Sequence, residues 1–353
     1  MKDKYLDKAV GLPALWAKIK SLLTTKAGVD LENAKIKESW LDITLPDSGP
    51  WRDVCYGNGV YVAIRSSSDL AYSTDGVNWS VCNIGYSANW HSICYGNGMF
   101  VMTTNYTGYS ACSTDGINWT VGSMPDSIVW KSICYGNGKF VAIGDDTNKV
   151  VYSTDGINWT VATMVNSRSW QSICYGTGKF VAVTDNSNGI VAYSTDGINW
   201  QESTTEIRVG WNKVCYGNDR FVAVSGSSTS MYSLDGISWS SSTMPVNNKN
   251  WAALCYAGSE FVAIGGDVAV RSVDGITWTT IEYLPSTETF YGLCYNNGKL
   301  VAVGYGQTGV VFMKSEVLIN QLDSQITDKG YVKKEYVDTA IANAITTTLS
   351  TEV

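Results

Sequence analysis

Apolar and polar residues alternate in short runs along most of this chain, and the same runs return every 39 to 41 residues. A representative unit reads WKSICYGNGKFVAIG, followed by a short loop and VVYSTDGINWTV. Each unit begins with an aromatic residue and has a cysteine four positions later. This fixed period indicates a repeat architecture. The leading aromatic residues are Trp51, Trp90, Trp130, Trp170, Trp211, Trp251 and Phe290.

Each unit contains four segments with the alternation and composition of β-strands, represented by SICYG, KFVAIG, VVYST and INWTV. Asn-Gly closes the first pair of segments in most units, and Asp-Gly closes the third segment. These dipeptides favour tight hairpins, because a type I′ turn needs positive φ at both central residues. Four strands in about 40 residues form one blade of a β-propeller. The sequence therefore predicts an all-β, seven-bladed propeller of four-stranded blades over residues 38–315.

A second tryptophan series is out of phase with the first, and we place it on the fourth, outermost strand of each blade. The segment around Trp40 resembles the fourth strand that the last unit lacks. We therefore expect this N-terminal strand to complete the blade made by residues 290–313, which leaves no sheet edge open at the seam. The second series is Trp40, Trp79, Trp119, Trp159, Trp200, Trp239 and Trp278.

The loops of such blades divide between two faces. The Asn-Gly and Asp-Gly turns share one face and are nearly constant, whereas the loops of the other face vary from blade to blade. Loops on a rigid scaffold usually carry recognition, so we expect any ligand to bind the variable face, near the central channel. A solvated channel lining is the alternative interpretation. The candidate ligand-binding residues are Arg52, His91, Lys131, Gln171, Asn212, Tyr291, Tyr106, Asp145 and Asp185.

Charge differs between the ends of the chain and its centre, within a net charge of −7. Residues 1–37 hold eight lysines against four acidic residues, whereas residues 38–313 hold 13 basic and 22 acidic residues. This acidic balance argues against nucleic-acid binding. No apolar run is long enough to span a bilayer, and the charged N-terminus lacks the apolar stretch of a signal peptide.

Both ends have helical patterns. In residues 1–37, Leu15, Trp16 and Ile19 share one face with Lys18 and Lys20 opposite, which predicts an attachment helix; packing on the chain's own propeller is the alternative. Residues 316–353 predict a helical oligomerisation segment, because self-association would bury its apolar stripes. Those stripes include Ile319, Leu322, Ile326, Val337, Ile341 and Ile345.

The sequence offers few of the residue combinations that catalysis requires. His91 is the sole histidine, so neither a Ser-His-Asp triad nor a histidine-rich metal site is expected. Seven of the nine cysteines recur once per unit, without metal-site spacing, and we interpret them as small, buried and reduced side chains. The repeated turn aspartates indicate a structural role. We therefore expect no catalytic residues, no metal and no cofactor.

The turn S-x-D-G-x-[NST]-W resembles the Asp-box of sialidases and other propellers, although it is one residue shorter. This resemblance implies a fold and not an activity. Sialidases use an arginine cluster and a tyrosine nucleophile, whereas the arginines here share no motif. Tyrosines outside the repeat are better candidates for ligand contact: Tyr86, Tyr106, Tyr109, Tyr283, Tyr291 and Tyr305.

The segment KYLDKAVGLPALWAKIKSLL resembles a leader of the form YLD..GL..LW.KIK in tail and fibre proteins of phages and prophages of gut Firmicutes, with one extra residue between LDK and GL. The segment ITDKGYVKKEYVDTAIANAI resembles C-terminal segments of the same proteins. This resemblance implies a virion protein, often homotrimeric, that is assembled in the bacterial cytoplasm and displays a binding domain.

Three functions remain open at this point. The first is a tail-fibre or receptor-binding protein whose partners are itself, other virion proteins and a bacterial surface glycan or protein. The second is a virion decoration or head-fibre protein without an obligatory ligand. The third, an enzyme that trims surface glycan, lacks a catalytic constellation.

Overall fold

The computed structural model describes residues 39–284, 289–306 and 308–313. Residues 42–311 form one compact unit. The expected attachment helix in 1–37 and the expected oligomerisation stripes in 316–353 lie outside the described residues. Within the described ranges every regular element is a β-strand, and there is no helix.

The strands form seven four-stranded sheets. The first three blades are β2 (Trp51–Gly57), β3 (Val60–Arg65), β4 (Asp69–Ser73) and β5 (Ser80–Asn83); β6 (Trp90–Gly96), β7 (Met99–Thr104), β8 (Tyr109–Ser113) and β9 (Thr120–Ser123); and β10 (Trp130–Gly136), β11 (Lys139–Gly144), β12 (Thr147–Ser153) and β13 (Thr160–Arg168). The next two are β14 (Trp170–Gly176), β15 (Lys179–Thr184), β16 (Ile190–Ser194) and β17 (Gln201–Thr204); and β18 (Trp211–Gly217), β19 (Arg220–Ser225), β20 (Thr229–Ser233) and β21 (Ser240–Thr243). Blade six is β22 (Trp251–Tyr256), β23 (Phe261–Gly265), β24 (Val268–Ser272) and β25 (Thr279–Tyr283).

Blade seven combines the two ends of the ring, as the sequence predicts. Its strands are β26 (Phe290–Asn296), β27 (Lys299–Gly304) and β28 (Thr308–Met313), with β1 (Ser39–Thr44) paired outside β28. The first strand of each blade contacts the first strand of the next, and β2 contacts β26. The ring of seven antiparallel blades is therefore closed, which confirms the predicted fold class.

The first hairpin of most blades is a type I′ turn, as expected. In blade three, Asn137 has φ 45° and Gly138 has φ 74°, which are the two positive values that this turn requires. The Asn137 side chain also donates a hydrogen bond to the Thr195 carbonyl oxygen of the next blade, at 3.3 Å. Equivalent bonds join Asn58 to Thr114 and Asn218 to Val273. The asparagine thus fits the backbone conformation and also links neighbouring blades.

Blade four keeps the two positive φ values of this turn but lacks the asparagine: Thr177 occupies that position, with φ 42°. A β-branched residue is strained in this region. We expect Thr177→Asn to raise the free energy of unfolding by about 1 kcal/mol, since it relieves strain and supplies a side-chain amide toward blade five. Chemical denaturation measures this change. The reverse exchange, Asn137→Thr, is the matched control and should destabilise by a similar amount; a loss of stability in Thr177→Asn would contradict the prediction.

The second tryptophan series differs from expectation in one respect: apart from Trp40, these residues precede the outer strand and do not lie on it. Trp119, for example, comes just before β9. Its indole N–H donates to the Gly116 carbonyl oxygen at 3.2 Å, and Trp79 and Trp200 make the same bond to Gly76 and Gly197. The tryptophan therefore belongs to the turn, and the extended conformation begins at the next residue.

The hydrophobic core lies between the blades. The tryptophans that start the inner strands are fully buried, which confirms packing between blades and excludes them as exposed stacking platforms. Trp170 of blade four, for instance, packs in one cluster with Val141 and Ile143 of blade three. Because side chains are packed on both faces of each blade, the start of each inner strand has a fixed position. The channel mouth that these strand starts form is therefore fixed as well.

Candidate binding surface at the channel mouth

The candidate surface starts at the second residue of each inner strand. A register shift between the first and third residues marks a β-bulge in all seven strands. A bulge re-aims the extra side chain away from the regular ladder, which is why bulges occur beside functional sites. All seven side chains are partly buried. They are Arg52, His91, Lys131, Gln171, Asn212, Ala252 and Tyr291.

A second set of residues lies 14 positions later, and each of them directly follows the second strand of its blade. In blades three and four these residues contact the first set: Lys131 Nζ lies 3.3 Å from Asp145 Oδ2, and Gln171 Nε2 donates to Asp185 Oδ2 at 2.8 Å. We call the two sets together the channel mouth. Its second set is Ser66, Asn105, Asp145, Asp185, Gly226, Gly266 and Tyr305.

A polar network connects blades three and four within this mouth. Ser169 donates to Asp145 Oδ1 at 2.7 Å, and Gln171 Nε2 lies 3.5 Å from Ser169 Oγ. Lys131, Asp145, Gln171 and Asp185, which were predicted separately, therefore belong to one connected group. Because these side chains hold one another, their donors and acceptors have fixed positions.

The mouth is asymmetric. At the two mouth positions, blades five to seven present no charged side chain: Gly226 lies against the Asn250 side chain, whereas a Cβ at Gly266 would meet no atom within 4 Å. Asn212 donates to the Asn250 side chain at 2.7 Å and to the Trp251 carbonyl oxygen at 3.1 Å. Blade seven contributes Tyr291 and Tyr305. One side of the mouth is thus ionic, and the other combines small and aromatic residues.

Two mouth tyrosines and one loop tyrosine have distinct environments. The Tyr291 ring lies under the Arg52 guanidinium, whose Cζ is 5.7 Å from the ring centroid. Tyr106 and Tyr305 are 70% and 65% exposed, in the loops that follow β7 and β27. Tyr86 and Tyr109 instead stack edge-to-face at 4.7 Å, and the side chain of Tyr283 lies outside the described atoms. Tyr106, Tyr291 and Tyr305 are therefore the tyrosines available to a ligand.

His91 sits among cations. Burial, followed by the positive charges of Lys131, Lys213 and Arg52, lowers the pKa of His91 to about 3, although Asp145 acts in the opposite direction. The imidazole is therefore neutral at physiological pH. Its Nδ1 atom is buried and has no hydrogen-bond partner. The same is true of Asn105 Oδ1, at the other mouth position of this blade.

The third residue of each inner strand forms a layer beneath the mouth. In blades two to four it is serine, whose hydroxyl accepts the N–H of the fourth inner-strand residue in the next blade; Ser92, for example, accepts from Ile133 at 3.4 Å. Asp53 takes this role in blade one, accepting from Ile93 N–H and Ser92 Oγ at 3.1 and 3.2 Å. These bonds satisfy inner-strand N–H groups that face the channel.

Asp53 and Lys213 are the two charged residues of this layer, and sequence reasoning did not single them out. Burial raises the pKa of Asp53, whereas the positive charge of Lys213 opposes this rise. The charge of Lys213 in blade five therefore acts on the Asp53 carboxyl of blade one. A signal was present in the sequence: both residues break the serine pattern of the repeat at this position. Three serines in equivalent units make the exceptions visible.

The inner-strand cysteines differ from expectation, because they are partly buried and not fully buried. Five of the seven thiols pack against a core cluster of the next blade; Cys134 contacts the cluster around Trp170, for example, and Cys94 the cluster around Trp130. Burial raises the pKa of these thiols, so they are protonated at neutral pH. In the described part of the chain no group of three histidine, cysteine or acidic side chains is arranged to hold a metal.

These features define a seven-bladed β-propeller with antiparallel four-stranded blades. The family model described as the DUF6242 beta propeller domain matches residues 83–210, about a third of the chain. No curated protein matches the sequence. Within the described residues no helix has the length and apolar character needed to cross a membrane.

Solved structures share the fold at low sequence identity. Virginiamycin B lyase from Staphylococcus aureus is 12% identical, with a TM-score of 0.71, covering 79% of this chain and 100% of its own. YCF48 bound to D1 peptide is 15% identical, with a TM-score of 0.65 and coverages of 78% and 96%. YCF48 from Cyanidioschyzon merolae is 11% identical, with a TM-score of 0.62 and coverages of 78% and 98%. At these identities the similarity establishes the fold alone.

Proposed function

We propose that this chain is a phage virion protein of the tail-fibre or receptor-binding type, whose propeller binds carbohydrate on the bacterial host surface through the channel mouth. The observation that carries the proposal is the asymmetry of the mouth. Blades with the same repeat present different side chains at equivalent positions where the variable loops and the bulged residues meet. A lining without a ligand would not require an ordered ionic network on one side and exposed tyrosines on the other.

The chemistry of the mouth suits a sugar. Lys131, Asp145, Gln171 and Asp185 provide donors and acceptors whose positions are held by their mutual contacts. Sugar hydroxyl groups need such fixed partners, because each polar group that a ligand buries must regain a hydrogen bond. Tyr291 and Tyr305 add apolar area with a polar tip on the opposite side.

A binding role without catalysis is supported by His91 and by the arginines. With a pKa of about 3, His91 is a weak general base near neutral pH. The arginines are dispersed: Arg65 pairs with Asp47 at 2.7 Å, and Arg168 with Glu202 at 2.8 Å, at separate places on the ring. A catalytically inactive histidine-to-alanine variant of the S. aureus lyase has been solved with quinupristin, but no residue correspondence follows from that shared fold.

The virion role rests on the terminal segments. Their resemblance to phage tail and fibre proteins suggests one docking end and one self-associating end, with a homotrimer as the expected assembly. Several weak sites on one particle bind a repetitive cell surface far more durably than a single site does. The host glycan and other virion proteins are the proposed partners, and neither nucleic acid nor membrane insertion is part of the proposal.

Binding of labelled full-length protein to gut Gram-positive cells tests the proposal. We expect saturable binding that is lost after periodate oxidation of surface sugars. Lys131→Ala should weaken binding about tenfold, since it removes a charged donor from the mouth network. Lys139→Ala is the matched control, because Lys139 begins the partner strand at the opposite end of the same hairpin. Equal loss in both variants, or binding that survives oxidation, would contradict a glycan site at the mouth.

A further inference from the structure

The most unusual feature of the channel mouth is that three cations act on one imidazole in an otherwise acidic propeller. Residues 38–313 carry 13 basic and 22 acidic residues, yet Lys131, Lys213 and Arg52 all act on the single buried imidazole of His91. Arg52, His91 and Lys131 start the consecutive inner strands β2, β6 and β10, which contact one another around the ring. Lys213 is the third residue of the inner strand β18 in blade five, and its charge acts on both His91 and Asp53.

These cations differ in how far they are neutralised. Lys131 has its own carboxylate, Asp145, at 3.3 Å. Arg52 is held against the Tyr291 ring and has no carboxylate partner within the described residues. Lys213 likewise forms no hydrogen bond or ion pair in the described part of the chain. Arg52 at the mouth and Lys213 in the layer beneath it are therefore two cations that lack direct counterions within the described residues.

Asp53 is not a direct counterion of Lys213, although the two groups interact electrostatically. Its oxygens already accept hydrogen bonds from the N–H groups of Val54 and Ile93 and from the Ser92 hydroxyl, at 3.0 to 3.2 Å. The carboxylate is thus committed to the inner strands of blades one and two. It sets the floor of the site and leaves the Lys213 ammonium group available to a ligand.

We propose that Arg52, His91 and Lys213 form the subsite of the channel mouth that binds the oxyanion of an acidic surface glycan, either a sugar carboxylate or a polyol phosphate. This inference rests on the proposed function and names its ligand class. Like charges held close together in a partly desolvated space repel one another, and an oxyanion between them relieves this repulsion. The planar guanidinium suits two-point binding of a carboxylate or phosphate, and the lysine adds a point charge.

The rest of the mouth fits the uncharged part of such a ligand. Gln171 and Asn212 bring amide groups to the mouth positions of blades four and five, and Gly266 leaves open space at the mouth position of blade six. Because the remainder of the propeller is acidic, favourable contact with an anion is confined to this subsite, so an acidic polymer binds through one oxyanion at a time. Charge selects the ligand, and the polar and aromatic residues orient it.

The chain's own repeats supply variants that preserve the fold. Lys213→Ser and Asp53→Ser introduce the residue that blades two to four carry at this position, and Arg52→Gln introduces the residue of blade four. Serine at 213 can also accept an inner-strand N–H of blade six, as Ser172 accepts that of Val214 at 3.1 Å. Thermal unfolding of each variant verifies that the propeller is intact.

Titration calorimetry of the full-length protein with polyglucuronate, poly(ribitol phosphate) and neutral dextran tests the inference. We expect one of the acidic polymers to bind, with affinity that falls as salt rises, and dextran to bind at least tenfold more weakly. Lys213→Ser and Arg52→Gln should each lower the affinity about tenfold. Asp53→Ser should raise it several-fold, because a competing negative charge is removed. Lys139→Gln, on the opposite face, should leave it unchanged.

The outcomes separate this inference from the proposed function. Which acidic polymer binds distinguishes a carboxylate from a phosphate ligand. Equal affinity for dextran and the acidic polymers, or unchanged affinity in both Lys213→Ser and Arg52→Gln, would overturn the oxyanion subsite. If periodate-sensitive cell binding persisted in that case, the glycan-binding function would stand without it. Absence of binding to every polymer would also overturn the subsite, and absence of binding to cells as well would count against the function.

Discussion

Replacing Gly136 by alanine is expected to lower the free energy of unfolding by about 3 kcal/mol. Gly136 ends the inner strand β10, and a Cβ atom there would lie 2.1 Å from Cγ and 2.6 Å from Cβ of Tyr175 in the next blade. These atoms are at the root of the tyrosine side chain, which cannot move aside by changing its terminal torsions. Either the blades separate or Tyr175 leaves its place against Phe180, and such overpacking is costly.

Gly138→Ala is the matched control, two residues away in the same hairpin. A Cβ at Gly138 meets no atom within 4 Å, so its cost comes from the positive φ of 74° alone, about 1 kcal/mol. Chemical denaturation of both variants measures the difference. Equal destabilisation by the two alanines would mean that the glycine and tyrosine of adjacent blades do not interlock as described. The same contact recurs at Gly57, Gly96, Gly176 and Gly217.

Acidification is expected to unfold the propeller through its six turn aspartates. In blade three, hydrogen bonds from the Asn158 amide and from the backbone N–H groups of Asn158 and Ile157 lower the pKa of Asp155. Asp115 is lowered in the same way. In the other four turns partial burial opposes the effect, but the hydrogen bonds outweigh it and the pKa is again lowered. This confirms the structural role predicted for the repeated aspartates.

The direction of the pH dependence follows from these shifts. A carboxyl whose pKa is lower in the folded state contributes stability above its unfolded pKa, here 3.8, and loses it as the pH falls toward the folded value. Six turns act in parallel, so the melting temperature should fall steeply below about pH 4. Asp155→Asn should cost about 1 kcal/mol at neutral pH and flatten the acid dependence, because one carboxylate is gone. A melting temperature that stays constant from pH 7 to pH 2 would contradict this account.

Much of the fold follows directly from the sequence. The 40-residue period, the Asn-Gly turns and the out-of-phase tryptophan series predict seven four-stranded blades and the mixed seam. These inferences succeed because hairpin turns and alternation are local properties, and because each error in one repeat is corrected by six others. One local prediction was less accurate: the second tryptophans were placed on the outer strand, whereas all except Trp40 precede it, and the indole N–H groups of Trp79, Trp119 and Trp200 donate to the preceding turn.

The candidate site was accessible to sequence reasoning only in part. Comparison of equivalent positions found the mouth residues, since functional variation stands out against a constant repeat. It did not find Asp53 and Lys213, because a break in the serine pattern of one blade does not show which residues of other blades lie near it in space. Nor did it indicate that Asp145 pairs with Lys131 while Asp185 pairs with Gln171.

The sequence by itself determined the number of blades, the strand order and the face that varies, because these depend on residues near one another along the chain. The tertiary structure decided which charges meet. Arg52, His91 and Lys213 lie on strands of blades one, two and five, separated by many residues, and only closure of the ring brings them to one channel. Electrostatic interaction depends on distance in space, so the charge of the mouth became visible only once the blades were in place.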